Sequence, residues 1–407
     1  MNREFDLIVV GGGMVGASLA RALTDTGLTI AVIEAASLQQ AEQPSYDDRA
    51  IALAYGTRLI LEGIGAWPAL AVAAEPIRHI HVSDRGHFGF ARLDHKDHGV
   101  EALGYVATGR ALGQALFQGL DQLSHVTLFC PARLVDFSVD EQRAEVQVEC
   151  DGEMLTLNAK LLVAADGARS MVRERLGIDV REWAYGQTAV ISNLIPGVEP
   201  EGVAYERFTD AGPMAMLPLT EGRYGLVWTV HDEDAEHVTA LTDRQFLARV
   251  QERFGYRLGR FQRAGVRSAY PLKLLQAKEH VRSRVALIGN AAHAVHPITG
   301  QGFNLGIRDV AVLADVLVDA QQVAADIGAP GVLENYAKWR KRDQQAVAMM
   351  TDGLVRLFTN PLLPIRVARN LGMVALDMTP GVKQFVTRQF MGMHGRLPKL
   401  SRGVELG

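Results

Sequence analysis

Phe5-Asp-Leu-Ile-Val-Val-Gly-Gly-Gly-Met-Val-Gly16 decides the fold of this chain of 407 residues. Phe5 to Val10 is the short β-branched run expected of a buried parallel strand. Gly11, Gly13 and Gly16 follow at GxGxxG spacing, with Met14 and Val15 between the last two. Ala17 to Thr26 then reads as an apolar helix, and Thr29 to Glu34 as a second strand ending in an acid. In such a unit the first glycine permits the tight turn, the second lets backbone approach a pyrophosphate, and the third lets the helix pack on the strand. Glu34 stands near the spacing expected for a carboxylate that bonds ribose hydroxyls. A glycine turn in a ligand-free α/β layer is the alternative. The complete series of strand, helix, strand and acid points to a dinucleotide, either FAD or NAD.

Working outward, the polar loop Ser37 to Asp48 leads to Arg49-Ala-Ile-Ala-Leu-Ala, read as the start of a helix. Arg49 either reaches a cofactor phosphate or ribose or caps the acidic loop at Asp47 and Asp48. Residues 77–84 alternate as a half-exposed strand. His79, His81, His87, His95 and His98 match no standard ligand spacing, so no metal site is expected and solvent-facing strand histidines are the better reading. A helix from Arg110 to Leu123 precedes a β meander with strands near 126–130, 132–140, 144–150 and 154–158. The strand Leu161–Ala165 ends in Asp166-Gly167, an ordinary turn pair that here sits at the ligand-facing edge of an α/β sheet. Strand-like pieces at 188–194, 203–208, 214–218 and 224–230, with a helix over 243–254, read as an inserted substrate-binding layer.

The segment Arg284 to Asp309 repeats the strand–glycine–helix theme. Val285 to Ile288 is a strand, Gly289 and Asn290 a turn, Pro297 stiffens a loop, and Gly300-Gln301-Gly302-Phe303-Asn304 opens a long helix to about Val323. A helix N-terminus approached by glycine-rich loop favours an anionic or electron-accepting group. His293 and His296 flank that loop, either packing it or assisting proton movement.

Hydrophobic residues make up 48% and charged residues 22%, as in a soluble protein with ample core. The formal charge of −4 gives no reason to expect nucleic acid, and two cysteines without paired spacing indicate neither disulfide framework nor thiolate metal site. No signal-peptide core or membrane-length apolar run is visible, so the expected location is the cytoplasm, with any contact at the inner face of the cytoplasmic membrane peripheral. From Arg356 onward there are eight Lys/Arg against Asp377 and Glu405, a balance of +6. Helices are expected over 333–358, 364–377 and 380–391, the last capped by Thr379, with Pro361 and Pro364 as interruptions. They read either as a basic cap on the cofactor domain or as a surface for an anionic membrane or partner protein.

Taken together, Gly11-x-Gly13-x-x-Gly16, Asp166-Gly167 and the Gly289–Gly302 region resemble the flavoprotein aromatic hydroxylases with the para-hydroxybenzoate hydroxylase fold. Tyr46-Asp-Asp-Arg-Ala-Ile-Ala-Leu, His296-Pro-Ile-Thr-Gly-Gln-Gly-Phe-Asn-Leu-Gly and Arg308-Asp309 further resemble the ubiquinone-biosynthesis hydroxylases. Asn290 replaces the usual Asp of the family and fits best the branch acting on 2-octaprenyl-6-methoxyphenol. The resemblance implies an α/β fold: a Rossmann-like FAD-binding domain (1–76, 100–180, 271–330), an inserted antiparallel-sheet substrate domain (77–99, 181–270) and a C-terminal helical region (331–407). It also implies FAD as cofactor, NAD(P)H as transient reductant and O₂ as co-substrate. A polyprenylated phenol would be hydroxylated through a flavin hydroperoxide. The implied FAD contacts are Gly11, Gly13, Met14, Val15, Gly16, Glu34, Arg49, Arg110, Asp166, Gly167, Gly289, Asn290, Pro297, Gly300, Gly302, Phe303 and Asn304. Pro297, Gly300, Gln301 and Gly302 would position the flavin ring, with no side-chain acid or base assigned. Another ring hydroxylase of the same pathway, an O₂-independent isoprenoid reductase and a non-catalytic FAD-bound subunit of a biosynthetic complex stay open. Oligomeric state is not legible in the sequence.

Overall fold

In a computed structural model, residues 3–37, 47–294, 300–360 and 362–406 are described. They form two large sheets, a small third one and a helical C-terminal region. The first sheet runs Val281–Arg282, Val285–Leu287, Glu153–Ala164, Arg3–Val10, Ile30–Ile33, Val126–Phe129. Its centre is parallel, with Val9 paired to Val163 on one side and Val32 on the other. Leu7, Ile8, Val9, Val32 and Val163 are fully buried because both faces are covered, one by helices and the other largely by the meander strands Ala132–Val139 and Ala144–Cys150. The reading of two strands near 154–158 and 161–165 is corrected to one. Glu153–Ala164 pairs antiparallel with the meander strand Ala144–Cys150 and parallel with Arg3–Val10.

The second sheet orders His293–Ala294, Ser268–Ala277, Val180–Ile195, Arg223–His231, Gly212–Leu219, Val203–Thr209, His79–Asp84 and Phe90–Asp94. One face packs on the helices Asp232–Ala240 and Asp243–Phe254 through Trp228, Phe246 and Phe254. The first of these helices escaped the sequence reading, although its opening Asp-Glu-Asp suits the positive end of a helix dipole. Ser268–Ala277 runs through the domain boundary expected at 271, and Val180–Ile195 begins at the one expected at 181.

The helix expected from Arg49 is corrected to a strand. Ala50–Ala54 pairs antiparallel with Gly104–Thr108, and the helix starts only at Tyr55. Alanine favours helix intrinsically, but alternation in Ala-Ile-Ala-Leu-Ala and an available partner strand outweigh that weak preference. At the crossing Gly104 has no room for a side chain, since a Cβ would lie 2.4 Å from the Leu53 carbonyl oxygen. His79 and His81 are half-buried, not solvent-facing; His81 packs beside Phe90 and Tyr205.

The helices Gln301–Gln322, Pro330–Thr359, Leu363–Met378 and Pro380–Phe390 complete the chain. Thr379 takes the expected N-cap position, yet its side chain makes no cap hydrogen bond. Phe208 of the second sheet stacks on Phe358 with ring centroids 3.4 Å apart, so the tail is packed on that sheet. Asp84, buried, accepts from Arg369 Nε and Asn370 Nδ2, each at 2.9 Å, and Asn370 Oδ1 accepts from Gly89 N–H at 2.7 Å.

Candidate active site

The three glycine motifs converge at the carboxyl ends of the parallel strands. Gly11 has φ +97°, and a Cβ there would lie 2.4 Å from Ala165 O. A Cβ on Gly16 would lie 1.9 Å from Gly11 O, so the helix Met14–Ala22 packs against the turn only because that residue is glycine. Gly12 sits over Glu34, whose buried carboxylate accepts from Ala36 N–H at 2.8 Å. The first and third motifs meet through Val15, whose methyls would lie 3.0 Å from a Cβ on Gly289 and 3.2 Å from one on Gly306.

These motifs open into one cavity of about 940 Å³. Gly13, Met14, Val15, Arg49, Gly167, Gly289, Asn290, Gly300, Gln301, Gly302, Phe303 and Asn304 of the expected set line it. Gly11, Gly16, Glu34, Arg110 and Asp166 do not, and they shape or back the turns instead. Arg110 is held at the protein surface by Asp48, 3.1 Å away. Pro297, with His296 and Tyr46, lies outside the described residues. Arg49 lies 4.9 Å above the Tyr270 ring and 2.5 Å from Asp47, so it lines the cavity and also braces the acidic loop.

Asn304 is saturated by its own protein. Its Oδ1 accepts from Ala54 N–H at 2.8 Å and Thr57 hydroxyl at 2.7 Å, and its Nδ2 donates to Ala52 O and Gly300 O. It therefore clamps the strand Ala50–Ala54 to the start of the helix Gln301–Gln322. Gly300, at φ +63°, approaches Ala52 so closely that a Cβ would lie 2.7 Å from the alanine's own. Asp166 is the opposite case: Val172 N–H approaches Oδ2 at 3.3 Å, but Oδ1 is buried with no partner. Burial pushes the Asp166 carboxyl up, against the lowering hydrogen bond from Ser170.

Two roles were not legible in the sequence, although Arg308-Asp309 stood there as part of the family resemblance. Asp309, fully buried in the long helix, accepts from Gly289 N–H at 2.9 Å, His293 Nε2 at 2.6 Å, Arg340 Nε at 2.6 Å and Gln344 Nε2 at 2.9 Å. Burial opposes its charge, but His293 and Arg340 hold the carboxyl well below the usual range. This assigns His293 to packing beneath the turn, where its ring meets Asp309. Asp309 is one of several polar residues buried in that helix, with Asn304, Arg308 and Asp315, so no local pattern singled it out. The second is Glu206, the only carboxyl among the described cavity-lining residues. It stands in a strand where Ala204 and Phe208 set the inward face, and there an acid breaks the alternation.

The FAD binding domain family matches residues 4–351. The chain is 38% identical to ubiquinone hydroxylase UbiL of Rhodospirillum rubrum, covering 98% of this chain and 93% of that protein. It is 32% identical to 3-demethoxyubiquinol 3-hydroxylase of Escherichia coli, covering 96% and 100%. The chain belongs to the FAD-dependent ubiquinone-hydroxylase family. Its fold matches the crystal structure of p-nitrophenol 4-monooxygenase PnpA from Pseudomonas putida DLL-E4 with a TM-score of 0.79, at 20% identity over 97% and 99% of the two chains. The hydroxylase has a cradle that fits FAD: turns at Gly11, Gly16 and Gly300 that leave no room for a side chain, and a 22-residue helix whose first residues, Gln301 to Asn304, line the cavity.

Proposed function

We propose that this hydroxylase oxygenates the aromatic ring of a polyprenylated phenol in ubiquinone biosynthesis, with 2-octaprenyl-6-methoxyphenol as the substrate its sequence favours. One observation carries the reading. The cavity does not end at the flavin motifs but continues along an apolar sheet face to Phe358, Met373, Leu376 and Phe390 of the C-terminal helices. A ring seated by the flavin would therefore have room for an isoprenoid chain leading away from it, and apolar walls favour such a chain.

FAD, reduced by NAD(P)H and reoxidised by O₂, would supply the activated oxygen. The protein's own residues bind and arrange. Gly13 to Val15, Gly167 and Gly289 bring backbone to the cofactor. Asp309 fixes the Gly289 turn from beneath. The first turn of the helix Gln301–Gln322 presents N–H groups without intrahelical acceptors, placed to hold negative charge at the ring edge. The apolar sheet face excludes water from the reacting ring.

The helix Leu363–Met378 extends this reading to the membrane. Arg369, Met373 and Leu376 line the cavity, whereas Leu363, Val367 and Leu371, at helical spacing, are exposed on the outer side. Val382 and Phe385 of the next helix are exposed too, close in sequence to Arg366, Lys383 and Arg388. No described helix is long and apolar enough to cross a membrane. An apolar stripe with cations suits peripheral contact with an anionic surface from which a prenylated substrate could pass inward.

The test is NAD(P)H-dependent O₂ uptake by purified protein with a short-chain prenylated methoxyphenol, coupled to mass spectrometry of the product. Gain of one oxygen on the ring is expected. Turnover that yields only peroxide, or hydrogenation of the isoprenoid without O₂, would remove the proposal. A second reading, hydroxylation at another position of the pathway's ring, is favoured by the likeness to 3-demethoxyubiquinol 3-hydroxylase. It predicts that a deletion strain accumulates a different prenylated intermediate.

A further inference from the structure

Resting on that phenol reading, we infer that Glu206 is the polar anchor for the substrate's ring hydroxyl. The cavity-facing side of the second sheet carries a row of paired positions: Ile191, Val227, Ala215, Glu206, Val82 and Ala91. All six line the cavity, and Glu206 alone is polar. Strand alternation puts it on the same face as Ala204 and Phe208. Ala204 packs in one cluster with Ala50 and Leu217 beside the flavin motifs, and Phe208 stacks on Phe358 of the C-terminal region. Glu206 thus stands between the cofactor end and the apolar end, where the polar head of a prenylated phenol joins its chain.

Glu206 is half-buried where it faces the cavity, and no described side chain or backbone group pairs with its carboxyl. The cavity's two described arginines are already engaged, Arg49 with Asp47 and Arg369 with Asp84. Burial alone pushes the carboxyl up to about 8. A neutral carboxyl offers one donor and spare acceptors, which matches a phenol O–H that can both give and take a hydrogen bond. An unpartnered polar group in such a setting is destabilising until a ligand satisfies it. Supplying that partner favours the phenol over any analogue lacking the hydroxyl, and it fixes the ring's rotation beneath the flavin.

Flavin-loaded parent, Glu206→Gln and Glu206→Leu are titrated with a geranylated methoxyphenol and with its counterpart lacking the hydroxyl, read by the flavin absorbance change. The parent should bind the phenol roughly 10–100-fold more tightly than the deoxy probe. Glu206→Gln should keep most of that preference, because the amide still donates and accepts. Glu206→Leu should bind both probes about equally while retaining flavin; Glu206→Ala serves the same purpose should the leucine variant not fold. A leucine or alanine variant with the parent's preference overturns the anchor and leaves the proposed function standing. So does a parent that binds both probes alike. A parent that binds neither probe overturns the phenol reading, and the anchor with it.

Discussion

At the residue scale, the charge network beneath the flavin turn is where a single change should matter most. Asp309→Ala would take the Nε partner from buried Arg340, leaving it Asp343 and the Leu305 carbonyl, and would free the Gly289 N–H. Breaking one side of a buried pair typically costs about 3–5 kcal/mol. The variant should melt well below the parent and retain less flavin per protein, as read by absorbance. Asn290 is different, for it lines the cavity and is exposed there. Asn290→Asp should keep FAD, with little loss or a gain; a colourless protein would contradict the placement. Glu206 yields a prediction in pH. Its folded value of about 8 exceeds the ordinary 4.5, so between those values the folded state holds a proton that the unfolded state has released. Stability therefore falls as pH rises through that window. Glu206→Gln should raise the melting temperature more at pH 8 than at pH 5, and an equal gain at both would contradict it.

At the scale of elements, Asn304 and Gly300 join a strand to a helix start. Asn304→Ala would leave the Ala54 N–H and two carbonyls of Ala52 and Gly300 without their side-chain partner. Each buried group left unmade costs about 1–3 kcal/mol. The expected outcome is lost stability together with weaker flavin binding, because the helix start would no longer be held against Ala50–Ala54. Flavin affinity unchanged in a destabilised variant would show that the clamp serves folding alone. The strand Ala50–Ala54, expected as a helix, depends on a distant partner in the same way. Its helical propensity was visible in the alanines, but its partner strand lies some fifty positions away at Gly104–Thr108, so only the pairing decides.

At the scale of the whole molecule, the tail is at once wall and surface. The buried Asp84–Arg369–Asn370 cluster fastens it to the second sheet, and the same helix closes the cavity. Leu363, Val367 and Leu371 take no part in that packing cluster and remain exposed. Changing all three to Ser should leave flavin content and melting nearly unchanged while weakening sedimentation with anionic vesicles about tenfold or more, since buried apolar area drives such binding. Undiminished vesicle binding, or none by the parent, would remove this stripe as the proposed contact surface.

By itself, the sequence determined the parallel cofactor layer, because β-branched runs, a GxGxxG turn and a terminal acid are local signals that one strand–helix–strand unit contains in full. Gly11, Gly16, Gly289 and Gly300 were legible for the same reason: each is needed where backbone must pass close or take positive φ, and only glycine can do both. The order of three such motifs was enough to indicate the family. Only the tertiary structure decided what those turns are fastened to. Asp309 meets His293 from a short strand and Arg340 and Gln344 from the helix Pro330–Thr359, Asn304 meets a strand some 250 positions earlier, and Glu206 becomes the lone carboxyl among the described cavity-lining residues because five other strand positions around it are apolar. Burial and partnership are properties of packing between distant segments, and no local pattern encodes them.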